Sequence, residues 1–487
     1  MRVLSAAILL QASALTAFAA TAEQWRSRSI YQIVTDRFAM PNATLPDCDP
    51  EARHYCGGGW QGIINKLDYI QGMGFDAIWI SPVVENTVNR TSEGDAYHGY
   101  WTNNFYGVNE NFGSTYDLKG LSSALHAREM YLMLDVNVNN MASNSSVANV
   151  SWLYPFMNQS NFHQRCTIND PSDQKQVEQC WLGDAVVPLP DLNTENSTIA
   201  DMLYTWVSDL VNTYNVDGLR VDKAKNIRKD FWPGFTKSAG VFTMGEVNST
   251  DISYAAPYTT VLDSILDYPQ YYVLRDAFAS KKGNLSALVH AAQSSQALYH
   301  SGAFSSGTFL ENHDMPRLQS LTKDQALVQN AIAWIFAGDG IPIIYYGQEQ
   351  GLSGAGDPSN REPLWPTAYN TNKPLVSLIS SLNTARKAAG FTSTSFHENQ
   401  MKMVQESPST LAVLKAPLLT LLSNGGNTST PSWKVADTGY AGNTTLVDVL
   451  TCDEIMTDGD GNVETSTEGG MPRVRRLATL CFGCALH

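Results

Sequence analysis

Eight runs rich in β-branched and aromatic residues recur along the chain, with helix-like patterns between several of them. The runs are 29–38, 77–83, 130–138, 216–222, 242–247, 260–266, 306–312 and 341–347. Stretches such as LKGLSSALHAREM and IADMLYTWVSDLVNTY carry apolar residues at the spacing of an amphipathic helix. Eight strands with intervening helices predict an α/β fold, a TIM-type (β/α)8 barrel rather than a doubly wound sheet.

One interval breaks the rhythm. Residues 139–215 are rich in Asn, Ser and Pro and hold Cys166 and Cys180. A structureless loop of that length is uncommon in a compact domain, so a small disulfide-stapled subdomain inserted after strand three is expected. From about residue 396 short strands with Gly/Asn/Ser turns follow, as in STLAVLKAPLLTLLSNGGNTST, which predicts a C-terminal antiparallel β-sandwich domain. The expected limits are 21–139 with 194–395 for the barrel, 140–193 for the insertion and 396–487 for the last domain. Residues 1–20 have a basic start, an apolar middle and small residues at 17–20, the pattern of a secretory signal cleaved near Ala19 or Ala20. No other run reaches the roughly 20 apolar residues that a membrane helix needs.

A formal charge of −15 and a pI near 5.0 exclude nucleic acid and anionic membrane as natural partners, while hydroxyl-rich substrates are not repelled. Asn-X-Ser/Thr acceptors at Asn42, Asn89, Asn144, Asn149, Asn158, Asn196, Asn248, Asn284, Asn427 and Asn443 suggest a glycosylated exported protein. Cys48 with Cys56, and Cys166 with Cys180, are spaced to staple local loops in an oxidising compartment. Cys452 has two candidate partners, Cys481 and Cys484, in a lone CFGC that reads as structural.

In a parallel barrel, chemistry collects at the C-terminal strand ends. Three runs end there in an acid: Asp222 in GLRVD, Glu246 in TMGEV and Asp314 in LENHD. A single acid at a strand end is commonly a helix cap or an ion-pair partner. Three such acids, with Arg220 and His313 beside two of them, point instead to a site. Paired carboxylates near aromatic side chains suit cleavage of a glycosidic bond, which needs one ionised acid and one protonated acid. No cluster of His and Cys supports zinc.

In combination, the motifs DVNVNN (135–140), GLRVDKAKN (218–226), GEV (245–247), ENHD (311–314), LPDLN (189–193) and GDAYHGYW (94–101) are specific. The chain resembles the α-amylase superfamily of retaining glycoside hydrolases, glycoside hydrolase family 13, and most closely its secreted fungal members. That resemblance implies Asp222 as nucleophile, Glu246 as general acid/base and Asp314 as a sugar-binding stabiliser of the transition state. It implies contacts to an α-glucan from His98, Tyr100, Trp101, Asn140, Arg220, Lys225, Asn226, His313, Asp357 and Arg361. It further implies a Ca2+ ion held by Asn139, Asp191 and the backbone carbonyls of Glu178 and Asn226, all hard oxygen donors. The inserted subdomain would thereby hold calcium against the barrel, in a chain expected to act as a monomer.

The chain departs from that family at three motif ends. Asn140 and Asn226 stand where the fungal enzymes carry histidine, and Asn193 stands where aspartate is usual. Histidine at 140 would donate to the attacked sugar, and histidine at 226 would hold the sugar beyond the scissile bond. Asparagine is shorter and never cationic. The resemblance therefore supports an endo-acting α-amylase cleaving α-1,4 bonds of starch or glycogen. The alternative is a 4-α-glucanotransferase of the fungal cell wall, in which a glucan intercepts the glycosyl group. A catalytically silent glucan-binding relative is a third, disfavoured by the complete acid set. The asparagines are expected to slow hydrolysis and raise transfer. The chain ends in RRLATLCFGCALH with no polar spacer, so a soluble secreted hydrolase is expected ahead of a wall-anchored transferase.

Overall fold

Eight strands pair side by side in parallel: β1 (Ile30–Ile33), β2 (Ala77–Ile80), β3 (Tyr131–Val136), β4 (Gly218–Val221), β5 (Phe242–Gly245), β6 (Ser264–Ile265), β7 (Gly307–Thr308) and β8 (Ile341–Tyr345). Their order is β6-β5-β4-β3-β2-β1-β8-β7, and a bridge between Leu266 and Gly307 joins β6 to β7 and closes the barrel. The computed structural model describes residues 20–42, 44–88, 90–143 and 149–478. Residues 1–19, Cys481 and Cys484, and the acceptors Asn89 and Asn144 lie outside them.

Alternation along each strand sorts the side chains into two layers. Ile30, Ala77, Trp79, Met133, Phe242, Met244, Ile341 and Ile343 fill the barrel, above Trp25, which stacks on Phe242. Their neighbours Tyr31, Ile33, Ile78, Ile80, Leu132, Leu134, Leu219 and Val221 face the surrounding helices. Both faces are thus buried, which is why these runs read as nearly continuous apolar sequence. β6 is far shorter than the run 260–266. Asp267 caps the helix Tyr268–Phe278 by accepting from Gln270 N, so the strand gives way at once.

Between β3 and the helix Ser197–Tyr214 lies a segment with the short helix Gln174–Gln179 and a two-stranded ribbon, Leu182–Gly183 with Pro188–Leu189. The Cys166–Cys180 disulfide staples it, and Cys48–Cys56 closes a loop after β1.

The C-terminal strands are β9 (Lys402–Ser407), β10 (Thr410–Lys415), β11 (Leu418–Ser423), β12 (Thr445–Asp448), β13 (Glu454–Met456) and β14 (Arg473–Leu477). They form one antiparallel sheet in the order β9-β10-β11-β14-β12-β13. A second layer is the ribbon of residues Ser432–Val435 and Val463–Ser466. Leu411, Val413 and Leu422 join the barrel's outer core, whereas Ala412, Leu414, Leu419 and Leu421 meet Trp433, Val435 and Val463 of the ribbon. β10 and β11 are therefore buried on both faces, and none of their side chains alternates out to water. Among the described residues no helix is long and apolar enough to cross a membrane.

One ion pair locks this sheet to the barrel. Lys415 Nζ meets Asp339 Oδ1 with both side chains buried, and Asp339 also accepts from Met401 N at 2.9 Å and Gln296 Nε2 at 2.7 Å. Burial pushes the Lys415 ammonium down to about 8. Lys415→Ala strands a buried carboxylate and is expected to cost about 3–5 kcal/mol, read from urea unfolding.

Candidate active site

Strand alternation aims Arg220 of β4 and Asp222, the residue just past its end, into the same barrel mouth. The parallel ladder continues just beyond the strands: Asp222 N donates to Val136 O at 2.9 Å, and Glu246 N to Val221 O at 2.8 Å. The backbone therefore fixes where both acids stand.

Arg220 is fully buried, packed over the Trp79 ring at 5.2 Å. Its Nη1 donates to Asp222 Oδ1 at 2.7 Å and to both oxygens of Asp135, its register partner on β3, at 2.9 and 3.0 Å. Its Nη2 lies 3.0 Å from Glu246 Oε2. One guanidinium thus serves three carboxylates. Burial pushes the Asp222 carboxyl up, but the Lys223 and Arg220 charges outweigh it and hold the group below its ordinary range. For Glu246 burial dominates, and the negative charges of Asp222 and Asp314 add to it, so that Arg220 leaves the carboxyl raised to about 7. Tyr268 donates to Glu246 Oε1 at 3.2 Å, and Lys223 N donates to Oε2 at 3.0 Å.

The rim supplies neutral donors and flat faces. His98 Nδ1 accepts from Tyr100 N at 3.0 Å, which leaves its proton on Nε2. Burial drives the His98 ring well below its usual value and His313 down to about 4. Tyr100 stacks on His313 with ring centres 5.2 Å apart and donates to Asp135 at 2.7 Å. Arg361 spans Asp314 at 3.3 Å and Asp357 at 3.1 Å.

These groups surround a cavity of about 390 Å³, lined by His98, Tyr100, Trp101, Asp222, Glu246 and Asp314 among others. A second cavity, about 710 Å³, continues past Lys223 and Glu246 to Lys225, Asn248 and Tyr272. Lys225 Nζ is engaged by the Asn248 carbonyl at 2.6 Å.

Of the expected substrate contacts, two line neither cavity and a third only borders one. Arg220 lies beneath the acids and lines neither cavity. Asn140 is 0% exposed, because its short amide folds inward: Nδ2 donates to Met141 O at 3.2 Å, and Oδ1 accepts from Asn137 at 3.3 Å and from Lys223 Nζ at 3.2 Å. Asn226 borders the larger cavity but is only 6% exposed and gives its amide to Val177 O at 3.0 Å. Sequence reasoning missed Lys223, Asp135 and Tyr268. Lys223 was signalled by its place directly after Asp222.

Under the barrel rim, Asn139 Nδ2 lies 2.8 Å from Asp191 Oδ2 and 3.1 Å from Asn226 O, while Asn139 Oδ1 is buried without a partner. A half turn of that amide exchanges its nitrogen and oxygen and brings three oxygens together, a donor set that fits a hard cation such as calcium. Glu178, on the helix Gln174–Gln179, holds Gln174 Nε2 with its carboxylate at 2.7 Å.

Barrel, strand-end acids and C-terminal sheet together define a glycoside-cleaving architecture, and comparison with known proteins agrees. The family described as "Alpha amylase, catalytic domain" matches residues 32–409, and "Alpha-amylase, domain C" matches residues 396–484. The chain is 43% identical over 475 residues to an α-amylase of Saccharomycopsis fibuligera, covering 96% of each. It is 41% identical over 473 residues to α-amylase 1 of Schwanniomyces occidentalis, covering 96% of this chain and 92% of the relative. The solved α-amylase of Malbranchea cinnamomea superimposes with a TM-score of 0.93 at 40% identity, over 95% of this chain and 98% of that one. The chain belongs to the α-amylase family.

Proposed function

We propose that this glycoside hydrolase is a secreted α-amylase that hydrolyses internal α-1,4-glucosidic bonds of starch and glycogen with retention. The observation that carries the reading is the single guanidinium of Arg220 touching two acids whose protonation is driven in opposite directions. Ionised Asp222 attacks the anomeric carbon through Oδ2, since Oδ1 is held by Arg220. As that C–O bond forms, the glycosidic C–O bond breaks and Glu246 gives its proton to the departing oxygen. Glu246, now ionised, takes a proton from water, whose oxygen attacks the same carbon and frees Asp222. Asp314, steered by Arg361, binds sugar hydroxyls and faces the developing positive charge, while Tyr100 and Trp101 offer apolar faces to the pyranose. The signal-like start and the disulfides Cys48–Cys56 and Cys166–Cys180 support export.

The transferase alternative rested on Asn140 and Asn226 touching sugar. Asn140 lines neither cavity and Asn226 only borders the larger one, and the relatives the chain matches are α-amylases, so hydrolysis is the reading adopted. Maltoheptaose decides between them: hydrolysis yields short products only, and products longer than the substrate overturn it.

Calcium, held by Asn139, Asp191 and the Asn226 carbonyl, with the Glu178 carbonyl as a further donor, would tie the inserted segment to the barrel and stabilise the native form alone. Removal with EGTA should lower the melting temperature, and readdition of calcium should restore it. Equal melting temperatures after verified removal count against the site.

The two acids also set the pH response. Glu246 must be protonated and Asp222 ionised in the free enzyme, so kcat/KM should fall as pH rises through about 7 and persist below the ordinary carboxylate range on the acid side. A pH profile on soluble starch checks both limbs.

A further inference from the structure

Lys223 stands where no family role was expected, directly after Asp222. Its backbone is left-handed, φ 52°, and tied at both peptide edges to Glu246: Lys223 N donates to Glu246 Oε2 at 3.0 Å and Ala224 N to the Glu246 carbonyl at 3.0 Å. The root of the side chain is therefore fixed between the two acids. Its ammonium lies 3.4 Å from Asp222 Oδ2 and 3.2 Å from Asn140 Oδ1. Oδ2 is buried and makes no hydrogen bond, so it is the oxygen left to bond the anomeric carbon. Lys223 is a quarter exposed and borders both cavities, as Glu246 does. An ammonium has three donors, of which one is given to Asn140, so a donor is left to offer.

We propose that Lys223 is a substrate-contacting residue of this cleft, which donates from its ammonium to a ring hydroxyl of the attacked glucose while resting on Asn140. The buried amide of Asn140 cannot reach the sugar. It instead aims a longer cationic arm that can, so the two positions work as a unit. The alternative is a plain counter-ion to Asp222 that never meets the sugar. The inference rests on the α-glucan reading of the cleft.

The test is fluoride release from α-maltotriosyl fluoride and from analogues lacking in turn the 2-, 3- or 6-hydroxyl of the fluorinated glucose. Parent and Lys223→Met are compared, with Lys223→Gln if the methionine variant does not fold. A hydrogen bond to a charged donor predicts that one deoxy position costs the parent on the order of 10–100-fold in kcat/KM beyond the others. In the variant that excess penalty disappears while the other two remain, and Lys223→Arg recovers part of it. A counter-ion would slow all four substrates alike, so unchanged deoxy penalties overturn the contact. A parent that turns over none of the four overturns the α-glucan reading and the contact with it.

Discussion

A buried arginine cannot give up its charge, so everything around Arg220 is arranged to answer it. Asp135 answers it from the adjacent strand and Asp222 from the end of its own, while Glu246 touches it from the end of the next. Taking this many charges out of water is rarely a net gain in stability over an apolar packing. What the arrangement gains is a difference in acidity. Arg220 and Lys223 favour the ionised form of Asp222, and the negative charge they sustain works with burial against ionisation of Glu246. A symmetric environment would give the two acids the same proton affinity and leave the cleft without a donor or without an attacking base.

The barrel makes such a cluster possible because register is a rigid ruler. Asp135 lies opposite Arg220 in the β3–β4 ladder, and the ladder hydrogen bonds of Asp222 and Glu246 extend it one residue further. The loops add what strands cannot. The HGYW stretch brings Tyr100 against His313, and the Asp357–Arg361 turn reaches across to Asp314.

Much of this was legible in the sequence, and the exceptions have a common cause. Eight apolar runs with helical spacers specify a barrel because the continuous apolar run and the helical period are both local signals. The three acids were legible because a carboxylate at the end of an apolar strand demands a reason. The direction of Asn140 was not legible. Whether a short amide reaches a cleft depends on which of its neighbours, Met141, Asn137 or Lys223, takes its hydrogen bonds first. Lys223 was overlooked for the reverse reason, since a lysine beside an acid reads as an ordinary surface pair until the left-handed backbone at φ 52° turns it over the acids. The run 410–423 was read as ordinary short strands, although its near-continuous apolar sequence is the mark of two covered faces, one against the barrel and one against the ribbon 432–435 with 463–466.

The way the barrel closes bears on how the chain is made. Ile30 of β1 lies between Ala77 of β2 and Ile343 of β8. A ribosome delivers β1 early and β8 only after most of the molecule has emerged. Until then β1 presents one row of bare peptide groups, flanked by an apolar interior with no roof. Long-range pairings of this kind are slow to form and expose a nascent chain to misassociation. Closure therefore waits on synthesis of β8, and until it arrives the open edge of β1 is the part of the nascent chain most exposed to a wrong partner.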